Sequence, residues 1–310
     1  MSTTAETGTG AFQHPALFYR GDTDYLAGTV PFVWDGLAAG EPVAVAVPGG
    51  NLELLRRELG ADAARVRLLN MSEAGRNPGR IIPGVLRAFA DSHPGRPVRI
   101  IGEPIWAARS AAEYPACAQH EALINLAFAG REGTILCPYD ADALAPDVLA
   151  DAECTHPVLV DGTAHRTSPA YDPGAVVARY NEPLPVPDTA FELPDTTDLA
   201  GARALAHVRA AACGLSDDRV ADVEVVVTEL LTNSIEHGSG SGTLRFWGGE
   251  GEFVCEVHDR GRLTDPLAGR RPASPRQPRG RGLLLVHHLA DLVRQHAGDD
   301  GTTFRAYFRA

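Results

Sequence analysis

The chain contains no lysine, and all 28 of its Lys and Arg positions are arginine. That excludes a Walker-type phosphate loop, which places a lysine on the β- and γ-phosphates, and any Schiff-base chemistry on a lysine amine. The bias itself is what a GC-rich genome produces and carries no function. Cysteine is scarce: there are five in 310 residues, and no two form a C-x-x-C pair. Such a chain reads as reduced and cytoplasmic, with Cys137 and Cys255 as buried hydrophobes. Long apolar runs are missing, so no membrane span is expected. The opening MSTTAETGTG lacks a basic segment with an apolar core and reads as a flexible tail, not a signal peptide. Positive charge is also in deficit. A net charge of −12 argues against general nucleic-acid binding, which leaves a basic footprint.

What the chain does have is enough length for two domains and, at 44% hydrophobic residues, the apolar content for two cores. Residues 13–162 alternate strand and helix patterns. Ala16–Tyr19, Pro42–Val47, Val66–Asn70, Val98–Gly102, Thr134–Pro138 and Pro157–Asp161 read as strands. Between them fall helical patterns at Asp24–Ala39, Gly49–Leu59, Ile81–Ser92, Ala111–Ala129 and Pro146–Ala152. This alternation predicts a parallel sheet covered on both faces, a three-layer α/β domain. Ligands of such folds sit at the carboxyl ends of strands, where Gly49-Gly50-Asn51, Gly102-Glu103-Pro104 and Tyr139-Asp140 lie. PGGN has neither the spacing nor the lysine of a phosphate loop and reads as a tight turn. Glu121 and Asn125, one helical turn apart, line either a pocket or, as we expect, a solvated helix face. Cys117 with His120, and Cys154 with His156, have metal-compatible spacings, although the structural reading is favoured for both. Residues 163–197 are proline-rich and read as a stiff linker.

The last third carries the most specific signal. EVVVTELLTNSIEHG, residues 224–238, predicts a helix with Val220, Val223, Val227, Leu230 and Leu231 on a core stripe. Glu229, Asn233 and His237, spaced by four, share another stripe that suits a metal–phosphate site. Downstream, VCEVHDRGR places Asp259 at the end of an alternating strand, with Gly261 two residues on. A carboxylate there can accept from a purine amino group, and the glycine lets a flat ring approach. Gly280 and Gly282 then precede an apolar helix, Leu283–Leu292, whose free N–H groups suit phosphate. Asp300-Gly301 reads as a tight turn, with Thr302 and Thr303 starting the last strand.

Each motif alone is common, but the ordered set E-x-x-x-N, D-x-G, G-x-G-L and G-T-T-F resembles the Bergerat-type (GHKL) ATP-binding domain. That superfamily includes gyrase and the histidine kinases. The likeness covers residues 195–310 and implies a two-layer α/β sandwich over 198–310. TELLTNSIEHG and GRGLLLVHHLAD are most similar to the small anti-sigma-factor serine kinases of bacterial stress and sporulation pathways. That resemblance implies ATP and Mg²⁺ as cofactors. It implies Glu229 as general base for a serine hydroxyl, Asn233 as Mg²⁺ ligand, Asp259 on the adenine amino group and Gly261 under the base. Gly280, Gly282 and Leu283 would form the phosphate cradle, and Thr302 and Thr303 the adenine wall. His237 and Arg262 complete the nucleotide-binding set. Arg262 stands where many relatives have a second glycine, and either closes over the phosphates or crowds the pocket. Leu263–Arg279 reads as a lid bearing cations.

The first half resembles the MEDS sensory domain of methanogen and methylotroph regulators, through HPALFYRGDTDYLAG, RIIGEPIWAAR, HEALINLAF and ILCPYD. Together the two likenesses imply a cytoplasmic regulator of transcription. Its partners would be a sigma factor and an anti-sigma-antagonist, with a small-molecule signal at the first domain and homodimerisation as relatives show. Two alternatives stay open: an ATP-binding partner-binding module without phosphoryl transfer, and a sensor histidine kinase. The latter is disfavoured because no dimerising helical hairpin precedes the ATP domain, and because His207 lacks an acidic neighbour in sequence.

Overall fold

The computed structural model describes residues 12–162, 164–273 and 280–310. It divides into two units, residues 1–74 with 85–176, and residues 75–84 with 177–310. Among the described residues, no helix is long and apolar enough to cross a membrane.

In the first unit, strands alternate with helices. The order is β1 (Phe12–Gln13), β2 (Pro15–Tyr19), α1 (Gly21–Ala38), β3 (Val43–Val47), α2 (Gly49–Leu59), β4 (Arg67–Asn70) and α3 (Met71–Ala74). After these come α4 (Arg87–Asp91), β5 (Val98–Gly102), α5 (Tyr114–Ala127), β6 (Gly133–Asp140), α6 (Pro146–Thr155), β7 (Val158–Asp161), β8 (Ala164–Thr167) and α7 (Pro173–Arg179), within which the division between the units falls, after Val176. The sheet runs β4-β3-β5-β6-β2-β7-β8, with β1 also pairing β6. All its pairings are parallel except the β7–β8 hairpin. VAVAV of β3 is buried at every position, as a strand covered on both faces must be. The predicted helix Ile81–Ser92 is broken. Pro78–Arg80 is a 3-10 turn, Ile82–Leu86 is wound more loosely as a π-type segment, and only Arg87–Asp91 is α-helical. Pro78 and Pro83 remove two amide donors from this stretch, which accounts for the irregular winding.

The second unit is an antiparallel sheet ordered β12-β13-β11-β10-β9. Its strands are β9 (Phe191–Thr196), β10 (Gly242–Gly249), β11 (Glu252–Asp259), β12 (Leu292–Gly298) and β13 (Gly301–Arg309). The helices α8 (Leu199–Ala212), α9 (Asp217–Glu236) and α10 (Gly282–Leu289) pack on it. Val220, Val223, Val227, Leu230 and Leu231 of α9 are all buried against Phe246, Cys255, Val257 and Phe304. Short 3-10 turn Pro78–Arg80 also belongs here: Asn77 donates from Nδ2 to the His287 carbonyl (2.9 Å) at the end of α10.

Three further sequence expectations are corrected. Phe12 lies in a strand, not in the tail, whose other residues fall outside the described ones. The proline-rich linker contains β8, α7 and β9. β9 escaped notice because FELPDT holds Pro194, which an edge strand tolerates. Finally, the last helix ends at Leu289 instead of Leu292, and Leu292–Val293 open an edge strand.

Candidate functional site

α9 begins with Asp217 and Asp218 in its first turn, a favourable end for acids, and runs 20 residues. Its core stripe fixes the rotation, which leaves Glu229 and Asn233 half-buried, facing a cavity of about 710 Å³. His237 leaves the stripe. It sits at the helix C-cap with φ −122°, and its side chain is exposed at the cavity rim.

Asp259, at the end of β11, is held from two sides. Its Oδ2 accepts from the Ser234 hydroxyl (2.7 Å) and its Oδ1 from the Gly261 amide (2.6 Å). Gly238 and Gly261 are pressed together: a Cβ on Gly261 would stand 2.5 Å from Gly238 Cα and 2.6 Å from Asp259 Oδ1. Both are therefore obligatory glycines on a surface the backbone itself lines. Ser234 was missed from the sequence. It lies on the apolar side of α9 and 25 positions from Asp259, so no local spacing marks it.

β13 starts at Gly301, φ 128°, where a Cβ would overlap the Asp259 carbonyl at 2.0 Å. Side chains then alternate. Thr302 faces the cavity, donating to the Gly261 carbonyl (2.8 Å) and accepting from the Leu263 amide (3.1 Å). Thr303 points to the other face and pairs with His258 Nδ1 (3.0 Å), so its expected place in the adenine wall is corrected. Strand periodicity permits only one of two adjacent threonines on a given face.

The N-terminus of α10 closes the far side. The N-cap residue Arg281 makes no side-chain cap, so the first-turn N–H groups are not spent within the helix. Gly280 takes φ +85°. A Cβ on Gly282 would come within 2.5 Å of Glu229 Oε2, so the carboxylate sits directly against the helix mouth. Leu283, Asp265 and Leu267 continue the wall. Arg262 lines the rim but reaches outward to Asp299 (3.0 Å), and it is largely exposed. Part of the expected lid, Leu263–Ala273, lines the cavity; Arg276 and Arg279 lie outside the described residues. On α8, exposed His207 does have an acidic neighbour, Glu224 of α9 (2.6 Å), which the sequence spacing hides.

The first unit holds polar groups at its strand ends. Asn51, after β3, donates to both Glu103 oxygens (3.0 and 2.9 Å), and Tyr19, at the end of β2, donates to Oε1 (3.3 Å). Burial pushes the Glu103 carboxyl up to about 8 against the downward pull of these hydrogen bonds. Glu121 is buried, not on a solvated face, and Asn125 bonds His14 and the Thr155 carbonyl. As the favoured structural reading has it, neither Cys117 with His120 nor Cys154 with His156 belongs as a pair to a metal-compatible group among the described residues. Among the described residues, the one group of ligating side chains is His14, Glu121, Cys137 and His156, all buried.

Residues 13–157 match the family model described as MEDS, the methanogen/methylotroph, DcmR sensory domain. Residues 193–308 match the family model described as histidine kinase-like ATPase domain. No curated protein matches the chain.

Proposed function

The chain joins a MEDS sensory domain to a histidine kinase-like ATPase domain, and from that premise we propose an anti-sigma regulatory protein that phosphorylates a serine of an anti-sigma-antagonist. The observation that carries this reading is the meeting of Glu229, Asn233 and Gly282 in one cavity. The residues fit Mg·ATP. Asn233 Nδ2 is buried without a hydrogen-bond partner among the described residues, so nothing restrains the carboxamide from turning its oxygen to a cation. Gly238 and Gly261 line the cavity and pack so closely on each other and on Asp259 that a Cβ on either would displace the carboxylate.

In this reading Asp259, held by Ser234 and the Gly261 amide, accepts from the adenine amino group, and Thr302 lines the base. Asn233 holds Mg²⁺ on the phosphates, and the α10 N-terminus with Gly280 and Gly282 offsets their charge. Glu229 takes the serine proton. Phosphoryl transfer of this kind needs positioning and charge neutralisation more than covalent help. The sensory domain biases a two-state equilibrium of the kinase, and a sigma factor is the partner sequestered in one state. With no membrane-spanning helix among the described residues, the cytoplasm is the proposed compartment.

The test is transfer of labelled phosphate from Mg·ATP to an antagonist protein, followed by acid treatment. Acid-stable label on the antagonist, lost in Glu229→Ala, is the expected result. Acid-labile label on the chain itself would instead favour a histidine kinase, with His207 beside Glu224 the residue to examine. Binding of ATP and antagonist without any transfer would leave a nucleotide-gated binding module.

A further inference from the structure

We infer that the sensory domain holds a divalent metal ion of zinc type on His14, Glu121, Cys137 and His156. These residues come from four places in the first unit. His14 lies between β1 and β2, Glu121 is on α5, Cys137 is on β6 opposite Ala16 of β2, and His156 caps α6 just before β7. The parallel sheet sets β6, β2 and β7 side by side, and α5 lays Glu121 over them. All four are buried, with His14 and Glu121 each 1% exposed and His156 fully enclosed.

The hydrogen-bond network selects the tautomer of each imidazole in its neutral form. Asn125 donates from Nδ2 to the Thr155 carbonyl (2.9 Å), which orients the amide so that its Oδ1 faces His14 Nδ1 (3.2 Å). His14 therefore donates from Nδ1 and turns an Nε2 lone pair inward. His156 Nδ1 lies 2.8 Å from the Ala152 carbonyl, which can only accept, so its Nε2 is also a lone pair. Both lone pairs face Glu121 Oε2, at 3.4 Å for His14 and 3.2 Å for His156, and Cys137 Sγ stands 3.3 Å from His14 Nε2. Neither Glu121 oxygen nor His156 Nε2 has an aligned hydrogen-bond donor among the described residues.

Two imidazole Nε2 atoms, a carboxylate oxygen and the Cys137 sulfur thus converge in a buried site, an arrangement that a cation between them would hold. A tetrahedral ion with bonds of about 2.0–2.3 Å sets its ligand atoms about 3.3–3.8 Å apart. The three contacts above, at 3.2–3.4 Å, sit at the short end of that spacing, and every pair of ligand atoms lies within 4.8 Å, so a bound ion needs only small side-chain adjustments. Two neutral imidazoles, one carboxylate and one thiolate neutralise a divalent charge in full, which a buried site requires. Mixed nitrogen and sulfur donors favour zinc over magnesium or calcium. Asn125 and the Ala152 carbonyl are the outer partners that fix the rings. With four protein ligands the site is closed, and it ties α5 to the sheet.

The test uses the tag-free full chain, purified from cells grown with Zn²⁺ and, separately, with Co²⁺. We expect near-stoichiometric metal by mass spectrometry and, for cobalt, a thiolate charge-transfer band. Cys137→Ser should remove that band, and Asn125→Ala, with every ligand intact, should weaken metal binding by about 10–100-fold. Metal-free protein from both media would overturn the proposal and leave a proton shared between Glu121 and His156 as the occupant. Bound metal whose spectrum is unchanged by Cys137→Ser and Glu121→Gln would overturn the site.

Discussion

The cavity of the second unit and the buried cluster of the first are both small groups of polar side chains, assembled in opposite ways. Around the cavity each functional group has a glycine at hand: Asp259 with Gly261, Thr302 with Gly301, and Glu229 against Gly282. At each of these glycines the backbone packs against another cavity segment with no room for a Cβ, so the site leaves short glycine motifs in the sequence. His14, Glu121, Cys137 and His156 have no such neighbours. No two are closer in sequence than Glu121 and Cys137, and only the strand order of a parallel sheet brings them together. A site built around closely packed glycine turns can be read along the chain; a site built from side chains of separate strands, helices and connections cannot.

The comparison breaks first at Glu229. Glu229→Ala should cut phosphoryl transfer about 10²–10⁴-fold while nucleotide binding survives, as measured by labelled transfer and by ATP titration. Transfer at the wild-type rate would remove Glu229 as the base.

Glu103 tests whether the first unit's buried acids are placed for stability or against it. Its folded carboxyl titrates at about 8, above the ordinary 4.5. Between these values the folded state keeps a proton that the unfolded chain has released. Its contribution to stability is therefore whole below pH 4.5, falls as pH rises to 8, and is flat above. Glu103→Gln should flatten this slope and raise stability near pH 8 by roughly 2–4 kcal/mol, read from denaturant melts across pH. An unchanged slope in the variant would assign the titration to another group.

At the cavity's floor, Gly261→Ala forces a Cβ onto the Gly238 backbone and the Asp259 carboxylate. ATP affinity should fall about 10–100-fold by calorimetry, and wild-type affinity would mean that the base does not lie on this surface. Ser234→Ala leaves Asp259 Oδ2 without its donor. A loss of about 1 kcal/mol, roughly fivefold in ATP affinity, is expected in the same assay. Arg262→Gly should do least. The side chain is exposed and paired with exposed Asp299, so stability should move by under about 0.5 kcal/mol and nucleotide affinity very little. A large gain in affinity would show that Arg262 crowds the pocket.

Much of the fold was legible. β3 announces itself as an unbroken apolar run, β5 as an apolar run interrupted only by Arg99, and the core stripe of α9 follows from spacing alone. Strand β9 did not, because Pro194 and the positive φ of Asp195 disguise an edge strand whose register slips between Gly242 and Leu244. The last helix was read three residues too long, since an apolar run does not reveal where a helix hands over to a strand. At the site, Glu229, Asn233, Asp259 and Gly282 were marked by spacing. His237 lines the cavity, but from the helix C-cap and not from the stripe, because the helix stops before it; Thr303 faces away because a motif letter does not say which face a strand residue takes. Ser234 depends on a contact across 25 positions, and Glu121 on burial that its helix pattern does not show.

The most direct measurement is thermal unfolding of the full chain titrated with ATP, with and without Mg²⁺, beside Asn233→Ala. Ligand that binds only the folded state raises the unfolding temperature by mass action. The account predicts a magnesium-dependent rise that Asn233→Ala abolishes. No rise at millimolar ATP, or a rise that Asn233→Ala leaves intact, would contradict it.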